Sequence, residues 1–171
     1  MSLKISFAPI VDNNSRILIL GSLPGDLSIA EHQYYAHPQN RFWKILFHLF
    51  DEPFSRDYQK RKDLLIKNQI ALWDVCGSAI RKGSMDVHIK EVSPNAISEL
   101  LLKHQDIKHV FFNGQKAANL FDRYFERDPT HHFETLPSTS PANAQFSLDR
   151  LTQIWSTIKL PYTFNSPGDI P

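Results

Sequence analysis

The sequence predicts an α/β protein in three layers, with a central, mainly parallel sheet of four strands between layers of helices. Two observations carry this. Residues 17–20, Ile-Leu-Ile-Leu, form a short unbroken apolar run, the pattern of a strand covered on both faces and left with no polar side to alternate with. Further strand-like runs at 70–75, 109–112 and 133–136 alternate with stretches of helical period, and strands alternating with helices argue for a parallel sheet. The chain has 171 residues, 42% of them apolar, without internal repeat or linker, so one domain over 1–171 with an ordinary core is expected.

Residues 1–15 show no clear period, and Asp12-Asn13-Asn14-Ser15 is a turn cluster ahead of the first strand. That strand stops at Gly21. Gly21-Ser22-Leu23-Pro24-Gly25 brackets a tight turn, with glycines where the backbone takes unusual dihedrals or comes close to something else. Open α/β sheets bind ligands there, beyond the carboxyl ends of the strands. Tyr34, Tyr35, His37, Pro38 and Asn40 follow, aromatic and polar equipment rather than filler. From Arg41 the pattern is helical: Phe42, Ile45, Leu46 and Leu49 fall at i, i+3, i+4 and i+7, which places Asn40 at the N-cap.

Pro53 ends this helix, and 56–68 reads as a second, more polar one. After the strand at 70–75, residues 76–92 are irregular and contain Gly77, Gly83 and basic side chains, which marks a functional surface loop. Ser93-Pro94 reads as a helix start, serine as cap and proline at the first helical position, with Ile97, Leu100, Leu101 and His104 as the inner stripe. The strand at 109–112 closes with Asn113-Gly114 and leads into a helix over 115–124. Asp128-Pro129 breaks the chain before the strand at 133–136, and a loop over 137–146 precedes a last helix over 148–158 capped by Ser147. The tail, with Pro161, Pro167 and Pro171, is expected to be loosely held.

Composition narrows the chemistry. A single cysteine, Cys76, excludes an internal disulfide and a cysteine-ligated iron–sulfur cluster. The 8 histidines are scattered, with neither the spacing of a zinc site nor a Walker-type loop elsewhere, so no metal and no cofactor is expected. No run approaches the length of a membrane span and no signal-peptide pattern opens the chain, so the expectation is a soluble, cytoplasmic protein away from membranes. The net charge of +1 neither demands nor excludes nucleic acid. A local basic face would draw on Arg41 with Lys44, Lys60-Arg61-Lys62, Arg81-Lys82 and Lys116, or these are solvated helix faces.

Gly21-Ser22-Leu23-Pro24-Gly25, followed by Tyr34-Tyr35-Ala36-His37-Pro38-Gln39-Asn40-Arg41-Phe42-Trp43-Lys44, resembles the first motif of the uracil-DNA glycosylase superfamily, in the branch of the mismatch-specific uracil and thymine enzymes. The serine–leucine turn is closest to the hypoxanthine-DNA glycosylase branch. Phe111-Phe112-Asn113-Gly114 and Leu136-Pro137-Ser138-Thr139-Ser140-Pro141 match in content and order, so the resemblance spans roughly residues 17–155, with A-H-P-x-N-R-F-W as its specific part.

The resemblance implies a monofunctional, monomeric glycosylase that flips a deaminated base out of double- or single-stranded DNA and leaves an abasic site, with hypoxanthine preferred over uracil or xanthine. Tyr35 matches the aromatic that stacks on the flipped base. Relatives with G-I-N-P-G use the turn asparagine in catalysis. Leu23 stands there in this chain and can neither orient water nor accept a proton; the hypoxanthine-directed branch also lacks that turn residue and relies on the asparagine of A-H-P-x-N, so the resemblance implies the catalytic role for the matching Asn40, whose amide would orient water or polarise the sugar. The competing reading of Asn40 is a helix cap alone. His37 is the second catalytic candidate, protonating the leaving base or else ordering the loop. Ser22, Leu23 and Gly25 of the turn, Asp74 accepting from a purine N1–H, and Asn113 are the remaining substrate contacts; Ser138, Thr139, Ser140 and Arg41 are the expected DNA contacts. Relatives often carry a bulky wedge in that last loop, where Ser140 and Pro141 are small. The alternatives are a mismatch-uracil enzyme on the same scaffold, a catalytically silent nucleic-acid-binding module, and a nucleotide-binding domain that uses the 21–25 turn for phosphate.

Overall fold

The computed structural model describes residues 2–163, and its centre is a four-stranded parallel sheet. β2 (Ile17–Gly21) runs between β3 (Ile70–Asp74) and β6 (His109–Asn113), and β7 (His132–Leu136) extends the sheet beyond β6. Every residue of β2 and β3 is buried, so both sheet faces are covered, as the unbroken apolar runs require. The register pairs Gly21 with Asp74 and Asn113 with Leu136, which brings four strand ends to one edge.

Around this sheet lie α1 (Asp26–Glu31), α2 (Phe42–Leu49), α3 (Tyr58–Lys67), α4 (Ile97–Lys103), α5 (Gln115–Tyr124), α6 (Leu148–Trp155) and α7 (Leu160–Thr163). α3 packs on β3, α5 on β6 and β7, and α2 against α6. Ser147 caps α6 as expected, its hydroxyl accepting from the Arg150 N–H at 3.1 Å. A 3₁₀ turn over Ser156–Lys159 then replaces the expected last turns of that helix, and Pro161 sits in the short α7 that follows. Pro167 and Pro171 lie outside the described residues.

Two regions that lack apolar periodicity form a second, antiparallel sheet in the order β1 (Ser2–Ile5), β4 (Cys76–Arg81), β5 (Lys90–Pro94). These strands are short, partly exposed and broken by register shifts, so ladder pairing rather than intrinsic pattern makes them strands. The same pairing overrides the expected helix start at Ser93-Pro94. Ser93 pairs with Ser78 and Pro94 with Cys76, while α4 begins only at Ile97 behind Ala96. Pro94 is tolerated because it ends an edge strand.

All three tryptophans tie loops to this frame. The indole N–H of Trp43 donates to the Tyr34 carbonyl at 2.8 Å, that of Trp73 to Phe7 at 2.8 Å, and that of Trp155 to Pro137 at 3.0 Å. Two of these carbonyls belong to the loops that carry the first and last motifs.

Gly114 joins β6 to α5 at φ +96°, where a Cβ would also lie 3.0 Å from the Ser138 Cβ. Gly114→Ala is therefore expected to cost about 1–3 kcal/mol of stability, read as a lower urea midpoint at unchanged m-value; a midpoint equal to wild type would refute the constraint.

Candidate active site

The shared strand edge opens into a cleft of about 850 Å³. Its walls are the 21–28 turn and helix start, the segment from Tyr34 to Asn40, Asp74, the 84–87 loop, Asn113 and the loop after β7.

Gly21 is glycine for want of space: a Cβ there would meet Asp74 Oδ1 at 2.5 Å and the Tyr35 hydroxyl at 2.8 Å. Gly25 meets no such demand. Its φ of −66° is ordinary and a Cβ would reach only Ser84 at normal contact distance. What holds the turn is Arg81, fully buried, which donates to the carbonyls of Leu23, Pro24 and Gly83. Leu23 itself is buried beside the cleft. Arg61 is buried as well and donates to the Ser55 carbonyl at 3.0 Å, so these two arginines fit neither of the readings offered by the sequence, a basic DNA face or a solvated helix face.

Three segments meet at the side chain of Thr139, which is buried completely. The Thr139 N–H donates to Asn113 Oδ1 at 2.9 Å, which fixes the Asn113 amide so that its Nδ2 donates to Thr139 Oγ1 at 2.9 Å. The threonine hydroxyl must then donate onward, and does so to Asn40 Oδ1 at 2.9 Å. Asn40 Oδ1 also accepts the Phe42 N–H at 3.0 Å. α2 has Arg41 rather than Asn40 as its N-cap, so Asn40 lies one residue ahead of the observed cap and still satisfies a first-turn N–H. Both acceptor positions of this carbonyl are taken. Among the described residues no protein group accepts from its Nδ2, and Asn40 lines the cleft.

Thr139 is thus removed from the expected DNA contacts, because its hydroxyl is enclosed and used at both ends. Arg41 departs from expectation too: its guanidinium donates to the carbonyls of Thr139, Ser140 (2.7 Å), Asn143 (2.9 Å) and Phe146, so it shapes the loop after β7. Ser138 and Ser140 do line the cleft, their oxygens accepting the N–H groups of Ser140 and Ala142 at 3.2 Å. His37 is exposed at the rim, with Nδ1 accepting the Gln39 N–H at 3.2 Å, which leaves the proton of the neutral ring on Nε2.

Tyr35 stacks on Phe42, centroids 4.1 Å apart at 26°, and lines the cleft. It does so at φ +53°, a left-handed conformation costly for a bulky residue. Its buried hydroxyl has no hydrogen-bond partner among the described residues. Burial first, then the nearby Asp74 charge, push the phenol far above its ordinary pKa. Asp74 accepts from the Ser6 hydroxyl at 2.8 Å, and burial raises its pKa to about 7. Asp86, which accepts from Ser22 Oγ at 2.7 Å, adds to that rise while its own pKa is raised by burial. Sequence reasoning missed Ser6, Arg81 and Asp86 as site residues. Asp86 had only the signal that its loop looked functional, and Ser6 had none.

Among the described residues no group of three or more His, Cys, Asp or Glu is placed to hold a metal ion, and no helix is long and apolar enough to cross a membrane.

The chain is similar to known proteins along most of its length. A family model described as the uracil DNA glycosylase superfamily matches residues 8–159. A protein of Methanosarcina barkeri named hypoxanthine DNA glycosylase is 46% identical over 116 residues, covering 67% of this chain and 73% of its own. One of the same name from Methanosarcina acetivorans is 36% identical over 157 residues, 91% of this chain and 98% of its own. A solution NMR structure from Methanosarcina acetivorans, described as a candidate uracil DNA glycosylase, superposes with a TM-score of 0.75 at 33% identity, covering 92% of this chain and 99% of that one.

Two predictions follow from the geometry of the cleft. Thr139→Val, isosteric but without the hydroxyl, strands the buried Asn113 donor and should cost about 1–3 kcal/mol, while Thr139→Ser, which keeps the hydroxyl, should cost only about 1 kcal/mol for the lost methyl. Equal urea midpoints for the two variants would contradict the link. The second concerns Asp74, whose folded pKa of about 7 stands above its ordinary value of about 3.9 in an unfolded chain. The folded state therefore holds the extra proton, and its contribution is full below about pH 4 and lost as pH rises towards and through about 7. Wild type should lose stability relative to Asp74→Asn across that window; parallel curves would show that Asp74 does not titrate this way.

Proposed function

The chain belongs to the uracil DNA glycosylase superfamily, and on that premise we propose that it is a monofunctional DNA glycosylase that flips a deaminated base, hypoxanthine first, out of DNA and hydrolyses its N-glycosidic bond. The observation that carries the catalytic assignment is the state of the Asn40 amide, whose carbonyl is doubly engaged while its Nδ2 has no acceptor among the described residues, on a side chain that lines the cleft.

In this reading the everted base stacks on the cleft side of Tyr35, backed by Phe42, a contact worth about 1–3 kcal/mol. As the C1′–N9 bond of the nucleoside breaks, its electron pair leaves with the base and positive charge grows on the sugar. A donor serves the base, where negative charge collects, and Asn40 Nδ2 is that donor. With Oδ1 occupied, the amide does not take a proton from water. A water oxygen bonds to C1′ once the leaving bond is nearly broken, and its proton passes to the departing base or to solvent. Because no strong base assists, turnover is slow and selects bases that leave easily.

Asp74 in its ionised form accepts the N1–H of hypoxanthine, a hydrogen that adenine lacks, and so reads the deaminated edge. Ser138 and Ser140 keep hydroxyl hydrogens for phosphate oxygens.

Single-turnover excision from strands carrying deoxyinosine, xanthine, uracil or adenine, with Asn40→Ala beside wild type, tests the proposal. Hypoxanthine should be released fastest, and Asn40→Ala should lower that rate by about 10²–10³-fold while losing about 1–3 kcal/mol of stability, because the first-turn hydrogen bond goes and the buried Thr139 hydroxyl is left without its acceptor. An intact rate beside lost stability would reduce Asn40 to a cap. Release of uracil alone would move the substrate to the uracil-directed branch, and no release at all would favour a binding module.

A further inference from the structure

Everting a base from a duplex leaves a gap in the stack, and proteins commonly fill such gaps with an apolar side chain. The loop after β7 offers little for that purpose, with Pro141 and Ala142 exposed at its tip. The 84–87 loop in the cleft wall is different. Met85 and Val87 are 55% and 72% exposed and both line the cleft, although large apolar side chains are costly to leave in water.

Between them Asp86 is tied inward to Ser22 at 2.7 Å, so the residues on either side stay at the surface. The loop is braced beneath. Ile89 is buried, its N–H and that of His88 close a 3₁₀ turn onto Asp86 and Met85, and Ser84 Oγ accepts the Asp26 N–H at 2.8 Å. Arg81, the residue that holds the glycine turn, also grips the Gly83 carbonyl. Exposed Lys82 and Lys90 flank the loop with charge suited to phosphates.

We propose that Met85 and Val87 are the wedge that enters the duplex and holds the flipped nucleotide out, braced by Asp86 and Arg81. The inference rests on the glycosylase reading above. A single strand has no stack to fill, so the ratio of duplex to single-strand excision rates isolates the wedge from the chemistry.

The test compares wild type with the double variant Met85→Ala/Val87→Ala, which retains Asp86, and with Met85→Leu/Val87→Leu, which retains bulk. The ratio for deoxyinosine should fall at least about tenfold in the alanine pair and stay near wild type in the leucine pair. Fluorescence of 2-aminopurine placed beside the lesion should rise on binding of wild type, signalling unstacking, and rise less with the alanine pair. An unchanged ratio, or equal loss on both substrates, would overturn the wedge alone, since wild-type excision would still stand. If Pro141→Gly/Ala142→Gly lowered the ratio instead, the wedge would belong to the other loop. Absence of wild-type release from either substrate would sink the glycosylase reading and the wedge with it.

Discussion

The hydroxyl of Thr139 is the constraint on which the site depends. It accepts from Asn113 at the end of β6 and donates to Asn40 ahead of α2, 99 residues away in sequence, which is about 330 Å of fully extended chain at about 3.3 Å per residue. Backbone N–H groups anchor both ends, that of Thr139 on Asn113 and that of Phe42 on Asn40, so the direction of every hydrogen bond in the chain is fixed. Because Thr139 is fully buried, water does not compete for these bonds, and an unmet partner there is expensive. One consequence reaches function. With its carbonyl spent on two protein donors, the Asn40 amide has N–H rather than C=O left for a ligand in the cleft it lines, and in the proposed reaction that decides which part of a nucleoside it would stabilise.

The opposite wall obeys a different rule, the burial of charge. Asp74 and Asp86 stand near each other with Arg81 below, and each carboxylate takes one serine hydroxyl, from Ser6 and Ser22. Burial keeps Asp74 close to the balance between its two protonation states at neutral pH. Gly21 lacks a side chain because the Asp74 carboxylate and the Tyr35 phenol take its place. Tyr35 holds a left-handed backbone conformation against its own preference, while Phe42 and the Trp43 bond to the Tyr34 carbonyl fix the surroundings. The aromatic surface and the carboxylate that would meet a base are thus set by the same few contacts.

Much of this arrangement was legible in the residues and some was not. The parallel strands announced themselves because 17–20 and 70–73 are apolar without interruption, which only full burial explains. Asn40 was legible as a residue of both capping and catalytic promise through its motif, and the structure joins it to a cap bond and to the cleft at once. The second sheet was hidden since Cys76–Arg81 includes glycine and serine and gains its strand character only from partners far away in sequence. Arg41, Arg81 and Thr139 misled for a common reason: a guanidinium or a hydroxyl reads the same whether it faces phosphate or backbone carbonyls, and only tertiary packing turns these three inward. Asp86 had no spacing to betray it, because its partner Ser22 lies 64 residues away.

A structure of the protein bound to a duplex containing 2′-fluoro-deoxyinosine, which resists cleavage, would test the central claim most directly. Asn40 Nδ2 should lie at hydrogen-bond distance, about 2.7–3.2 Å, from an acceptor on the flipped base, with its Oδ1 still held by Thr139 and Phe42. An amide turned so that its oxygen faces the nucleoside, or one beyond reach of the base with the Thr139 bond intact, would contradict the account.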